Sequence, residues 1–144
     1  MADIKTKLVK SKEELEEAIN IRKIVFIKEQ KVPLDIEIDG LDSESEHFLA
    51  YLDDKPIGCG RVRTNNNYAK LERIAILKEF RGKGFGKELT NFLIDYCKKK
   101  NVKRIILHSQ SHVVDFYKKF GFKIAGRPFF EANIEHLEMY LNID

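Results

Sequence analysis

Apolar residues recur along this chain with two periods, and the changes of period mark out its elements. Ile4 to Val9 alternates weakly between apolar and polar residues, which predicts a first strand. Ser11-Lys12-Glu13-Glu14 is a capping box, so a helix is expected to start at Ser11. Its buried stripe would be Leu15, Ala18, Ile19, Val25 and Phe26, and it would end near Gln30. Pro33 and Gly40 punctuate the loop that follows. Alternation returns in His47 to Leu52 and Pro56 to Thr64, two strands joined by the Asp53-Asp54-Lys55 turn. Asn65-Asn66-Asn67 predicts the next hairpin turn, because asparagine tolerates left-handed backbone. Tyr68 to Leu77 reads as a fourth strand. Gly84 to Lys100 reads as a second long helix, with Leu89, Phe92, Leu93 and Tyr96 on one face. Arg104 to His108 is a predicted fifth strand, and Ser111 to Phe120 a short helix stopped by Gly121. Short strands near Phe122–Ala125 and Leu137–Leu141 complete the pattern. A strand–helix–strand unit centred on residues 68–108 implies that the fourth and fifth strands run parallel inside a mixed sheet.

With 144 residues, residues 1–144 are the size of one ordinary domain. An apolar fraction of 43% with mixed charge indicates a globular chain rather than a disordered one. No apolar stretch has the length of a membrane span, and the polar start lacks a signal-peptide profile. Cys59 and Cys97 lie far apart in apolar settings, which suggests reduced thiols and a cytoplasmic location. A net charge of +3, interspersed acids and the absence of a recognition-helix pattern argue against a nucleic-acid partner. His108 and His112 have metal-like spacing but straddle a strand-to-helix junction, so no metal is expected. Charge is nonetheless uneven. Asp35, Glu37, Asp39, Asp42, Glu44 and Glu46 form a purely acidic loop, whereas the second half is lysine-rich. Such a loop would suit a cationic substrate.

The chemistry concentrates where the fourth strand runs into Arg81-Gly82-Lys83-Gly84-Phe85-Gly86-Lys87. A strand followed by a glycine-rich, basic turn that opens a helix leaves main-chain N–H groups unpaired at a helix N-terminus, which favours a pyrophosphate. Glycines at Gly82, Gly84 and Gly86 allow close main-chain approach. The turn is not a Walker A loop, because no Gly-Lys-Ser/Thr follows four spacers. The pattern Arg81, Gly84, Gly86 instead resembles the coenzyme A loop of the GNAT superfamily of N-acetyltransferases. Phe116-Tyr117-Lys118-Lys119-Phe120-Gly121-Phe122 resembles that family's aromatic segment after the fifth strand. Arg22 with Val25 to Gln30, Pro33, Glu37, Asp39, Asp42 and His47 looks like the ElaA-like branch of its bacterial members, so the likeness covers nearly the whole chain.

That resemblance implies an α/β (α+β) fold: a mixed, mostly antiparallel twisted sheet, its parallel pair splayed apart, with helices on both faces. It implies an acetyl-CoA-dependent N-acetyltransferase acting on a small-molecule or peptide amine by direct nucleophilic attack. A catalytically inactive acyl-CoA-binding sensor on the same fold is the alternative, and self-association into a homodimer is left open. Tyr117 would protonate the departing thiolate; a phenol with pKa near 10 suits that task. Glu72 would take the ammonium proton, with burial raising its pKa. On strict alternation it shares a face with Ile74 and Ile76, and a salt bridge to Arg61, Arg63 or Arg73 is the competing reading. Main-chain groups of Ile74, Ala75 and Ile76 would meet the thioester and pantetheine. Residues 81–86 would hold the pyrophosphate, Lys83 or Lys87 the remaining phosphate, and Ser109 with Gln110 would line the cleft. Arg22, on an apolar stripe, should meet Glu29 or an acidic-loop residue.

Overall fold

The computed structural model describes residues 3–143. The strands β1 (Ile4–Leu8), β2 (Glu46–Leu52), β3 (Lys55–Thr64), β4 (Tyr68–Ile76), β5 (Arg104–Gln110), β6 (Lys123–Glu131) and β7 (Ile134–Asn142) build one sheet. Their order is β1-β2-β3-β4-β5-β7-β6, and every neighbouring pair is antiparallel except β4–β5. Helices cover both faces. On one, α3 (Phe85–Lys98) buries Phe85, Leu89, Leu93, Ile94 and Cys97 with Phe48, Val62, Leu71, Ile105 and Met139. Phe92, expected in that stripe, is exposed and meets Phe48 edge-on. On the other face, α1 (Lys12–Arg22) buries Ala18 and Ile21 against Leu49, Cys59, Ala75 and Leu77. Two short helices, α2 (Leu34–Glu37) and α4 (Val114–Lys118), flank the future site. No helix among the described residues is long and apolar enough to cross a membrane.

Local chemistry accounts for these boundaries. Ser11 Oγ accepts the Glu14 N–H at 3.1 Å, and the Glu14 carboxylate accepts the Lys10 N–H at 2.8 Å, which caps α1. Beyond Arg22 the helix widens into a π-helical stretch, Lys23–Glu29, before the predicted end at Gln30. The Asn65 side chain accepts from the Asn67 and Tyr68 N–H groups and closes the β3–β4 turn. The β6–β7 hairpin is longer than the pattern suggested. Gly126 and Pro128 hide a strand there by creating an irregularity between Ala125 and Phe129. Ala132 and Asn133, at φ 52° and 62°, make its tight turn.

One irregularity shapes the function. Between the pairs Cys59↔Ala75 and Arg61↔Glu72, β3 has only Gly60 while β4 has both Arg73 and Ile74. This is a β-bulge, with Arg73 in the left-handed region at φ 56°. A bulge bends its strand and ends regular pairing. Accordingly β4 pairs with β5 only from Tyr68 to Leu71, against Arg104 to Leu107. Beyond that point the two parallel strands diverge and leave a V-shaped gap.

Candidate functional site

The gap opens into a cleft of about 450 Å³. Ile74, Ile76 and Glu72 on β4, Ser109 and Gln110 on β5, and Phe116 and Tyr117 on α4 all line it. The Leu77 N–H donates to the Ile57 carbonyl at 2.8 Å. By strand alternation, the main-chain groups of Ile76 and Ile74 therefore face away from β3, toward the gap. Ala75 turns its main chain to Cys59 on β3, so it contributes only a methyl group to the cleft.

Below the gap the chain turns through Arg81-Gly82-Lys83 into α3. Gly82 and Gly84 have φ of 78° and 85°, a conformation that side chains rarely adopt, and a Cβ at either would meet nothing within 4 Å. Among the described residues, no main-chain N–H from Gly82 to Lys87 has a protein acceptor. Lys83 and Lys87 are exposed beside them, without an ion-pair partner among the described residues. A helix N-terminus with these open N–H groups has the chemistry to hold an anion. Phe85 takes part through its N–H alone, because its ring is buried in the core. Arg81 departs from the expected role. Its guanidinium holds Glu29 at 2.6 and 2.8 Å and donates from Nε to the Ile76 carbonyl at 2.8 Å. It ties the π-helical stretch to the end of β4 instead of reaching freely for phosphate.

Glu72 also departs from the expected role. The bulge exchanges the faces of β4, so Glu72 lies with Lys70 and Ala75 on the α1 side, opposite Ile74 and Ile76. Its carboxylate accepts from Arg61 at 2.9 Å and from Arg63 at 2.6 and 3.1 Å, with Lys70 at 3.4 Å. Burial alone would raise its pKa. The Arg63 hydrogen bonds and the Arg61 charge outweigh that and hold it at about 2. A carboxylate this weakly basic is poorly suited to take a proton from an ammonium group. A group whose pKa is lowered on folding stabilises the fold above its unfolded pKa, here 4.5, and loses that contribution as pH falls towards 2. Urea denaturation is therefore expected to show stability falling between pH 4.5 and 2, with a shallower fall in Glu72→Gln.

Half of the acidic loop is neutralised as well. Buried Arg22 donates to Glu37 at 3.1 Å and to Asp42 at 2.8 Å, the acidic-loop partners expected for it. Arg61 holds Asp39 and Asp42 at 2.8 and 2.9 Å. Arg73 lies against Glu37 and donates to its carbonyl at 3.0 Å. Three of the six loop acids thus form a scaffold around the bulge, not a cation-collecting surface.

Tyr117 stands at the cleft wall, edge-on to Phe116 and Phe122. Burial pushes its phenol up to about 12, so it stays protonated. Buried Ser109 donates from Oγ to the Gln110 carbonyl, and Gln110 reaches Gln30 at 2.9 Å, bridging the cleft to the π-helical stretch. Sequence reasoning missed the second wall. Phe26, Gln30, Val32 and Ile36 cover the α1 side, while Glu131 and His136 close it from the β6–β7 hairpin. His136 lies one residue before the strand expected at Leu137–Leu141. The alternation of Ile134, His136 and Glu138 against Glu135, Leu137 and Met139 carried the signal for a longer β7. Among the described residues no cluster of His, Cys, Asp or Glu is arranged to hold a metal.

Comparison with known proteins agrees with this geometry. Residues 10–143 match the family described as the acetyltransferase (GNAT) domain. The chain is 40% identical to YjcF of Bacillus subtilis, named as an uncharacterized N-acetyltransferase, over 94% of this chain and 98% of that protein. The crystal structure of Escherichia coli ElaA superposes with a TM-score of 0.85 at 24% identity, covering 97% of this chain and 99% of that one. A GNAT family acetyltransferase from Elizabethkingia anophelis, solved with acetyl-CoA bound, shares the fold at a TM-score of 0.78 and 16% identity, over 98% of this chain and 99% of that one. The chain therefore belongs to the GNAT acetyltransferase family, with YjcF and ElaA among its homologues.

Proposed function

We propose that this protein transfers the acetyl group of acetyl-CoA to a primary amine by direct attack, with no acyl-enzyme intermediate. The observation that carries this reading is the alignment of three features along one path. The open N–H groups of residues 82–87 lie where Gly86 sits beside Ile76 and Phe116, the free main-chain groups of Ile74 and the Ile76 N–H continue along β4, and the phenol of Tyr117 stands at the same cleft. The pyrophosphate of the coenzyme would rest on the N–H groups of residues 82–87, with Lys83 or Lys87 meeting its remaining phosphate. Its pantetheine arm would follow Ile74 and Ile76 in place of the missing strand. This order brings the thioester beside Tyr117 and Ser109.

Each residue then has a stated task. A main-chain N–H of β4 aimed at the thioester oxygen stabilises the tetrahedral oxyanion, a contribution of about 3 kcal/mol for one donor. Tyr117 delivers its proton to the departing sulfur. Glu72 remains ionised and anchors Arg61 and Arg63 beside the bulge, which fixes the β4 edge. Among the described residues no nucleophilic serine or cysteine is activated at the site. Ser109 Oγ is bonded to the Gln110 carbonyl, and Cys59 and Cys97 are buried thiols raised to about 12 by burial.

The reading is tested by calorimetry with acetyl-CoA together with thiol release across a panel of amines. Saturable binding and turnover of at least one amine are expected. Gly84→Val is expected to weaken acetyl-CoA binding at least 100-fold, because φ of 85° disfavours valine and its side chain would crowd the N–H groups there. Unimpaired binding by that variant overturns the placement of the pyrophosphate. Binding without turnover of any amine would favour an acyl-CoA sensor.

A further inference from the structure

Direct attack requires an acceptor amine that has lost a proton, and the cleft must contain a group that can take it. The expected base, Glu72, is tied to two arginines. Glu37 is buried between Arg22 and Arg73. His108 has both ring nitrogens engaged, with Glu131 at 3.2 Å and Glu138 at 3.2 Å. His112 is exposed at the cleft's edge.

His136 differs from all of these. It lies on β7 directly across from Gln110 of β5 and Phe129 of β6, at the splayed end of the sheet. Only 9% of it is exposed, and it lines the cleft on the side away from α4. Its ring stacks on Phe129 with centroids 5.9 Å apart and an interplanar angle of 21°. Its Nδ1 lies 2.7 Å from the Ile134 carbonyl, which accepts and never donates. Nδ1 therefore carries the hydrogen, and the lone pair of the neutral ring sits on Nε2. That atom has no hydrogen-bond partner among the described residues, and it is not among the polar atoms sealed from solvent. A held ring, a fixed tautomer and an open lone pair are what a general base needs.

We propose that His136 is the general base of this acetyl transfer, accepting the ammonium proton of the acceptor at Nε2. The inference rests on the acetyl-transfer reading above. In the balanced step, R–NH3⁺ gives one proton to Nε2, and the freed amine lone pair forms the C–N bond to the thioester carbon. As the C–S bond breaks, its electron pair leaves on sulfur, which takes the Tyr117 proton. The second nitrogen proton of the intermediate restores the Tyr117 phenol. His136 then passes its proton to water, so the products are amide, coenzyme A thiol and one proton. The acceptor enters from the wall formed by Phe26, Val32, Ile36 and Gln30, opposite the coenzyme. This wall suits an amine carried on a partly apolar body.

The test compares wild type and His136→Gln across pH 6 to 10, using acetyl-CoA and the amine of highest turnover. At pH 7 the variant is expected to lose at least 100-fold in kcat, with acetyl-CoA affinity and Tm unchanged. The loss should shrink at alkaline pH, where the ammonium loses its proton unaided, and imidazole added to His136→Ala should restore part of the rate. The charged groups that could shift this profile are His108 with Glu131 and Glu138, His112, and Glu72 with Lys70 across the cleft. A kcat within threefold of wild type, or a loss that is the same at every pH, overturns the assignment while leaving acetyl transfer intact. A wild type that turns over no amine removes the transfer reading, and the base assignment falls with it.

Discussion

Tyr117→Phe is expected to lower kcat by about 100-fold or more while acetyl-CoA affinity stays within a few fold. The substitution deletes one hydroxyl and keeps the ring, so the edge contacts with Phe116 and Phe122 survive and the fold should be unaffected. What disappears is the proton for the leaving thiolate. A phenol pushed up to about 12 is on its face too weak an acid for a thiol of ordinary pKa near 8.5. However, the same desolvation acts on sulfur. The buried thiols Cys59 and Cys97 of this protein are likewise pushed up to about 12. A coenzyme thiolate forming against the same apolar wall becomes more basic in step with the phenol, and the match between donor and acceptor is kept. Single-turnover thiol release with saturating acetyl-CoA is the measurement. Turnover by the Phe variant equal to that of wild type removes Tyr117 from the acid role.

Arg22→Met is expected to cost about 3–5 kcal/mol of stability and to lower Tm by roughly 10–17 °C. Arg22 is 1% exposed and donates to both Glu37 oxygens, to the Glu37 carbonyl and to Asp42. Removing it leaves Glu37, itself 1% exposed, with Arg73 as its remaining cation. Nor is the damage confined to stability. Glu37 and Asp39 hold Arg73 in its left-handed conformation, so their displacement loosens the bulge. The double variant Arg22→Met, Glu37→Leu should recover at least half of the lost stability, because it removes the orphaned charge along with its partner. Its acetyl-CoA binding should remain weaker than that of wild type, because Arg73 would still lack the Glu37 carboxylate. Thermal denaturation and calorimetry of the three proteins check both statements.

Most of the fold was legible because each element carried its own period or its own turn chemistry. The helix start at Ser11, the Asn65 turn and the strand–turn–helix unit at residues 68–98 are local signals, and local interactions produce them. The glycine-rich turn with its open N–H groups at residues 82–87 was legible for the same reason. The facing of Glu72 was not, since alternation assumes an unbroken pleat and the bulge at Arg73 and Ile74 breaks it. Its neutralisation was not legible either. Arg61 and Arg63 come from the neighbouring strand, and the loop acids that share Arg61 lie some twenty positions earlier in sequence. The commitment of Arg81 to Glu29 spans 52 residues and leaves no trace in the local pattern. The expected last strand stops one residue short of His136, because the start of β7 is set by its pairing with β6, whose Gly126 and Pro128 break the regular strand pattern.

The extra residue in β4 has a consequence for how this protein can change over time. The bend in β4 depends on an integer, the number of residues between Glu72 and Ala75: two against the single Gly60 force the bulge, and one would restore the regular pleat. Substitutions at 73 or 74 can be graded in effect, but a deletion there is all-or-nothing. It would remove the bulge, restore a regular pleat in which Ala75 and Ile76 keep their present faces, and let the straightened β4 re-zip with β5. The same integer also separates two kinds of selection on one strand. Residues before it answer to the arginine–carboxylate scaffold, and residues after it answer to the ligand. Drift in one half therefore need not disturb the other.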